Sequence, residues 1–195
     1  MRRHVNYFEV FGLERKLGID AAALQRRFYE LSRQSHPDFH QAAPAEEQAR
    51  ILDASARLNA AYRALRDPIA RVEYLVRLEE GRETKEGDTV KPKAPPELLA
   101  EMFEIQEALQ EARAGGLDEA ARETLSAQRE RLVARREAEE ARITGELSAA
   151  WDAAAERAKA LASFKAALAT RAYLRTVIDD LTEVLEATDV AHHRH

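Results

Sequence analysis

Cysteine is absent from the 195 residues. That excludes disulfides, thiolate zinc sites and ligation of an iron–sulfur cluster by this chain. Glycine (7) and proline (6) are scarce, and no long run shows the β-branched alternation of a strand. Ala, Leu, Glu and Arg dominate instead, which favours helix almost throughout, so an all-α protein is expected. Long hydrophobic runs are missing too: nothing approaches a membrane span, and no apolar stretch follows the Arg-bearing N-terminus. A cytoplasmic protein with no membrane partner is expected. A basic excess is also lacking. The formal net charge of −5 argues against a nucleic-acid partner, because phosphate binding needs a net basic face. Finally, no Ser/His/Asp set, Gly-rich phosphate loop or inward carboxylate pair is recognisable, so neither an enzyme nor a cofactor is implied.

What remains is 45% hydrophobic and 33% charged residues, enough to bury a core and stay soluble. The length allows one domain or two small ones. Residues 1–80 carry 13 Lys and Arg against 12 Asp and Glu, whereas the rest carries 17 against 23, so the acidic excess lies in the C-terminal part.

Residues Tyr7 to Leu13 form an aromatic-rich helical turn ended by Gly12, and it is too short to stand alone. Asp20 reads as an N-cap for a helix from about Ala21 to Gln34, with Leu24, Phe28 and Leu31 at i, i+4 and i+7 as its core stripe. Arg26, Arg27 and Arg33 fall off that stripe and face water. At His36-Pro37-Asp38 the helix must stop, because Pro37 fixes its own φ and pushes His36 towards extended backbone. Helix resumes near Ala45, with Glu46 and Glu47 in the favourable first turn, and runs to Arg66 through Ile51, Ala54, Leu58, Tyr62 and Leu65. Asp67-Pro68 restarts it as a cap followed by proline at the first helical position, with Ile69, Val72, Leu75, Val76 and Leu78 as the apolar side. Two long helices joined by a tight turn are expected to lie antiparallel between two short ones.

Residues 81–95 carry Gly, Pro and many charges and read as a linker, dividing a first domain (1–80) from a second (96–190). A helix from Pro96 stops at Gly115-Gly116. A charge-laced segment comes next, carrying Leu125, Leu132 and Ile143 and weakened at Gly145. The pattern restarts near Trp151 and continues to about Ala187, with Leu161, Phe164, Leu168, Leu174, Ile178, Leu181 and Leu185 on one side. A three-helix bundle is expected, with Trp151 filling its core and its indole N–H on a nearby carbonyl. The tail from Asp189 is short and polar.

Taken together, Tyr7-Phe8…Phe11-Gly12, His36-Pro37-Asp38, Asn59 to Leu65, Pro68 and Arg71-Val72-Glu73-Tyr74-Leu75 resemble a J-domain. More narrowly the chain is similar to the HscB-type J-domain co-chaperones of iron–sulfur cluster assembly. Trp151-Asp152-Ala153-Ala154-Ala155 resembles the start of that family's last helix. The resemblance implies a J-domain that stimulates ATP hydrolysis by a DnaK/HscA-type chaperone. It also implies a C-terminal bundle that holds the IscU-type scaffold protein as client. It assigns His36, Pro37 and Asp38 to activation of the chaperone. By position along the helix it assigns Leu99, Phe103, Glu104, Glu107 and Glu111 to the client, with Tyr173 as a further aromatic contact. Phe39 stands where a basic residue usually follows the tripeptide, and Ala100 where a large apolar one is frequent.

The residues have readings of their own beside this. His36-Pro37-Asp38 offers an imidazole and a carboxylate held by a rigid ring, or is an ordinary proline-stopped turn. Arg26, Arg27 and Arg33 make either a solvated surface or a basic face that steers an acidic partner. Leu98, Met102, Ile105 and Leu109 already supply a core stripe, so Leu99 and Phe103 form a second apolar row. That row is a broader core contact or a partner surface. His36, Asp38 and His40 alternate as a metal trio would, which keeps a metal-dependent hydrolase open as a rival. A J-protein serving general unfolded clients is the other.

Overall fold

The computed structural model describes residues 5–34, 44–81, 96–153 and 156–192. No strand occurs among the described residues, and the all-α expectation holds. The helices are α1 (Tyr7–Val10), α2 (Ala21–Gln34), α3 (Ala45–Arg66), α4 (Pro68–Glu79), α5 (Pro96–Gly115), α6 (Glu119–Arg142), α7 (Ser148–Asp152) and α8 (Arg157–His192). His36, Pro37, Asp38, Phe39 and His40 lie outside the described residues, as does most of the linker. The chain divides into two compact units: Met1–Glu86 with Thr144–Leu161, and Gly87–Ile143 with Ala162–His195.

In the first unit α3 packs against α1, α2 and α4, burying Phe8, Leu24, Leu58, Leu65, Val72 and Leu75. Alone, the single turn of α1 is too short to persist, and local caps and aromatic contacts hold it in place. Asn6 and Glu9 form a reciprocal capping box, the Asn6 side chain accepting from Glu9 N and the Glu9 carboxylate from Asn6 N. The Tyr74 hydroxyl accepts from Tyr7 N at 2.8 Å, and the two rings stack with centroids 4.4 Å apart. Burial pushes the Tyr74 phenol up from its ordinary value. Gly12, at φ 69°, closes the turn in the left-handed region that glycine reaches without strain. Asp20 and Asp67 cap α2 and α4 as expected. Asp20 accepts from Ala22 N and Ala23 N, and these donors hold its carboxyl below the usual range. Asp67 accepts from Ala70 N at 2.7 Å.

Arg71 is a buried cation whose Nε donates to Leu65 O at 2.7 Å and whose Nη1 donates to Leu17 O. Burial pulls its pKa down, while the charges of Asp67 and Asp152 oppose the shift. The guanidinium thereby satisfies the carbonyl near the end of α3 and one in the loop before α2.

That loop, Arg15 to Gly18, is also held from much later in the chain. The Asp152 carboxylate accepts from Leu17 N and Gly18 N, both at 2.7 Å, and the Trp151 indole donates to Arg15 O at 3.1 Å. A Cβ on Gly18 would lie 3.1 Å from Asp152 Oδ2, so the close approach favours glycine there. Trp151 is buried, and the Arg157 guanidinium lies over its ring at 5.2 Å. Trp151 therefore does not fill the bundle core, contrary to the expectation for a tryptophan at the start of the last helix. It packs in the first unit, although its N–H does reach a carbonyl. Replacing Asp152 by Ala leaves the half-buried Leu17 amide without its acceptor and hands the exposed Gly18 amide to water. It is expected to cost about 1.5–3 kcal/mol, the range of hydrogen bonds to a charged group. A lowered thermal midpoint would show it, whereas an unchanged midpoint would show the loop holding itself.

The second unit is the expected bundle. Leu98, Ile105 and Leu109 of α5 meet Leu125 and Leu132 of α6 and Leu174, Ile178, Leu181 and Leu185 of α8 in one buried cluster. Between Arg142 and Ser148 the helix does not break at Gly145 but widens into a π-helical segment, Ile143–Leu147. A π segment accommodates an extra residue in the turn. The break comes after Asp152, where side chains are committed to the Arg15–Gly18 loop. Glu156 then takes φ 49° immediately before α8, a left-handed conformation that costs a non-glycine residue about 1 kcal/mol. Its carbonyl accepts from Lys159 N and Ala160 N, opening the new helix.

Candidate functional site

Two exposed helix faces carry the described residues singled out in the sequence, Tyr173 excepted. On α2, Arg26, Arg27 and Arg33 are all exposed. Leu24, the buried residue of that helix, and half-buried Phe28 and Leu31 occupy the other side. Phe28 stacks on Tyr62 of α3, centroids 4.1 Å apart, which fixes the roll of α2 and hence the outward direction of its arginines. Arg27 pairs with Glu30 at 3.2 Å, an exposed i,i+3 pair of small energetic weight.

On α5 the second apolar row is not core. Phe103 is 73% exposed and Leu99 43%, while Leu98, Ile105 and Leu109 on the other side are buried. Glu104, Glu107 and Glu111 are exposed as well. With about 100° per residue, these five residues share one outward face with an apolar upper half and an acidic lower half. The Arg135–Glu101 pair, at 3.2 Å, ties α5 to α6 beside it. Phe103 therefore adds little to the core of the bundle, and Leu99 is covered only in part, which leaves the row available to a partner. Tyr173 is not on this face. It lies on α8, half-buried against the bundle core, and desolvation raises its phenol pKa.

Three features of the structure lie beyond the sequence reading. The clamp from Trp151 and Asp152 joins positions more than 130 apart and leaves no periodic trace. The Asn6–Glu9 capping box does have a sequence signal, Asn-x-x-Glu ahead of an aromatic turn. Tyr29, 56% exposed on the arginine face of α2, has one too, in its helical position relative to Arg26 and Arg33.

No family model matches the chain. Over 111 residues it is 35% identical to a co-chaperone protein HscB homolog from Azoarcus sp. strain BH72, a match spanning 57% of this chain and 61% of that protein. Chaperone HscB from Vibrio cholerae matches in structure with a TM-score of 0.51 at 23% identity, over 97% of this chain and 98% of the other. The human co-chaperone protein HscB matches with a TM-score of 0.58 at 24% identity, over 98% and 85%. At those identities the two structures speak for the fold. The resemblance read from the sequence, to HscB-type proteins built from a J-domain and a helical bundle, is borne out. Among the described residues, no helix is long and apolar enough to cross a membrane.

Proposed function

We propose that this chain is an HscB-type co-chaperone of iron–sulfur cluster assembly, working in the cytoplasm without an active site of its own. It binds an IscU-type scaffold protein through the bundle and stimulates the ATPase of a DnaK/HscA-type chaperone through the J-domain. The single observation that supports this best is the outward row of Leu99 and Phe103 above an acidic edge, on a helix whose core side is already satisfied. Apolar side chains fixed on a helix and ringed by charge suit a protein client, which buries the centre and leaves the rim wet. Leu99, Phe103, Glu104, Glu107 and Glu111 supply that surface, with Tyr173 as an auxiliary contact. His36, Pro37 and Asp38, helped by Arg26, Arg27 and Arg33, engage the chaperone. The carboxylate of Asp38 suits an arginine on the partner, and the arginines raise the rate of encounter more than the final affinity. Holding client and chaperone on one chain makes the second encounter local, at an effective concentration that a free client does not reach.

The test is titration of an IscU-type scaffold into wild type and into the double variant Leu99→Ala, Phe103→Ala. Affinity should fall roughly 10- to 100-fold, the range of two lost interface anchors. ATPase stimulation measured without client should be unchanged. An unaltered Kd, or equal binding of unrelated unfolded peptides, would replace the scaffold with a general client.

A further inference from the structure

We propose that the first unit holds a small-molecule site between the loop that follows α1 and the first half of α2, and that its ligand is a small carboxylate with an apolar body. A cavity of about 420 Å³ opens there, within the range of about 300–1,000 Å³ typical of small-molecule sites. Phe11 and Leu24, both buried, form its floor, and half-buried Leu13 and Ile19 belong to its walls. Lys16 and Arg27, both exposed, stand at its rim. Of the residues assigned above to client or chaperone, Arg27 alone lines it. A ligand seated on Leu13 and Ile19 takes from water apolar surface that the fold itself leaves partly wet.

The cavity is built before any ligand arrives. Its loop wall is fixed from outside the loop: Arg71 Nη1 donates to Leu17 O, the Asp152 carboxylate accepts from Leu17 N and Gly18 N, and the Trp151 indole donates to Arg15 O. Its helical wall is fixed by the stacking of Phe28 on Tyr62, centroids 4.1 Å apart, which sets the roll of α2. A ligand entering walls held in this way has little chain entropy to remove.

Hydrogen-bonding capacity selects the head group. An ammonium carries three donors and a guanidinium five. Lys16 donates to Glu14 at 2.6 Å and Arg27 to Glu30 at 3.2 Å, which leaves donors to spare on both. The acids at the rim are engaged. Lys16 holds the Glu14 carboxyl below its usual range, and Asp20 accepts from Ala22 N and Ala23 N. An ammonium ligand therefore meets two cations and two occupied acceptors. A carboxylate finds unused N–H donors, whose charge-assisted bonds are the stronger kind. An inorganic anion would draw nothing from the apolar floor.

The experiment titrates full-length protein with three probes that share one body and differ in head group: 4-phenylbutyrate, 4-phenylbutanol and 4-phenylbutylamine. The acid should bind saturably with a Kd below about 1 mM, in keeping with its few heavy atoms. It should bind about fivefold or more tightly than the alcohol, the gain of a charge-assisted over a neutral hydrogen bond, and the amine should bind most weakly. Raising salt should weaken the acid and not the alcohol. Ala23→Phe, which places a ring in the cavity from an exposed position of α2, should abolish saturable binding of the acid. Ala23→Leu serves in its place should that variant melt early. Lys16→Gln with Arg27→Gln should bring the acid to the affinity of the alcohol. Absence of saturable binding, or wild-type binding in both Ala23→Phe and Ala23→Leu, overturns the site. An alcohol or amine that binds as tightly as the acid, or an acid preference that survives the double variant, overturns the carboxylate.

Discussion

A His36→Gln variant is expected to lose stimulation of a DnaK/HscA-type ATPase, falling to the basal rate, while keeping its helical content and melting point. Glutamine preserves bulk and a polar end but replaces the ring that both donates and accepts at fixed positions. The effect is expected to be confined to recognition, because in the sequence His36 directly precedes Pro37, where a helix does not run on. Pro37 is unchanged in the variant, so the restriction its ring places on the backbone beside position 36 is retained. Steady-state phosphate release with chaperone in excess reads the result. Undiminished stimulation would remove His36 from the mechanism and leave the coupling without its centre.

The largest expected loss of stability comes from Trp151→Ala. The side chain is 1% exposed, donates to Arg15 O and lies under Arg157, so packing, a hydrogen bond and a cation–π contact go together. Large aromatic truncations in cores cost about 3–5 kcal/mol. For a chain of this size that corresponds to a fall of roughly 6–20 °C in thermal midpoint. Trp151→Phe separates the contributions, since it keeps most of the volume and strands only the Arg15 carbonyl, for about 1–3 kcal/mol. Circular dichroism melts distinguish the three proteins. A Trp151→Ala protein that melts with wild type would mean that the loop from Arg15 to Gly18 is held without the indole.

Much of the fold is legible in the sequence because helices advertise themselves locally. Asp20, Asp67-Pro68 and Gly115-Gly116 mark helix ends within a residue or two. The stripes through Leu58 and Leu65, and through Leu174, Ile178, Leu181 and Leu185, name core residues that are in fact buried. The doubled apolar row on α5 is also legible, since a bundle helix needs only one. Periodicity fails where a side chain is committed far along the chain. Trp151 fits a helical stripe equally well whether it faces the bundle or the loop at Arg15, and only the acceptor at Arg15 O decides. Gly145 reads only as a weak point in the sequence, because a wider helical turn tolerates glycine as a helix end does. Tyr29 is obscured for a different reason: the charges beside it give a stronger signal than the ring they frame.

The assignment of Thr144–Leu161 to the same unit as Met1–Glu86 has a consequence for biosynthesis. An N-terminal J-domain made of contiguous residues could complete itself while the ribosome was still translating the second half of the chain. Here the piece that caps the loop before α2 is complete only about 75 residues after Glu86. At translation rates of about 5–20 residues per second that is a wait of roughly 4–15 s. During it, the amides of Leu17 and Gly18 lack their carboxylate acceptor, and the nascent helices depend on one another alone.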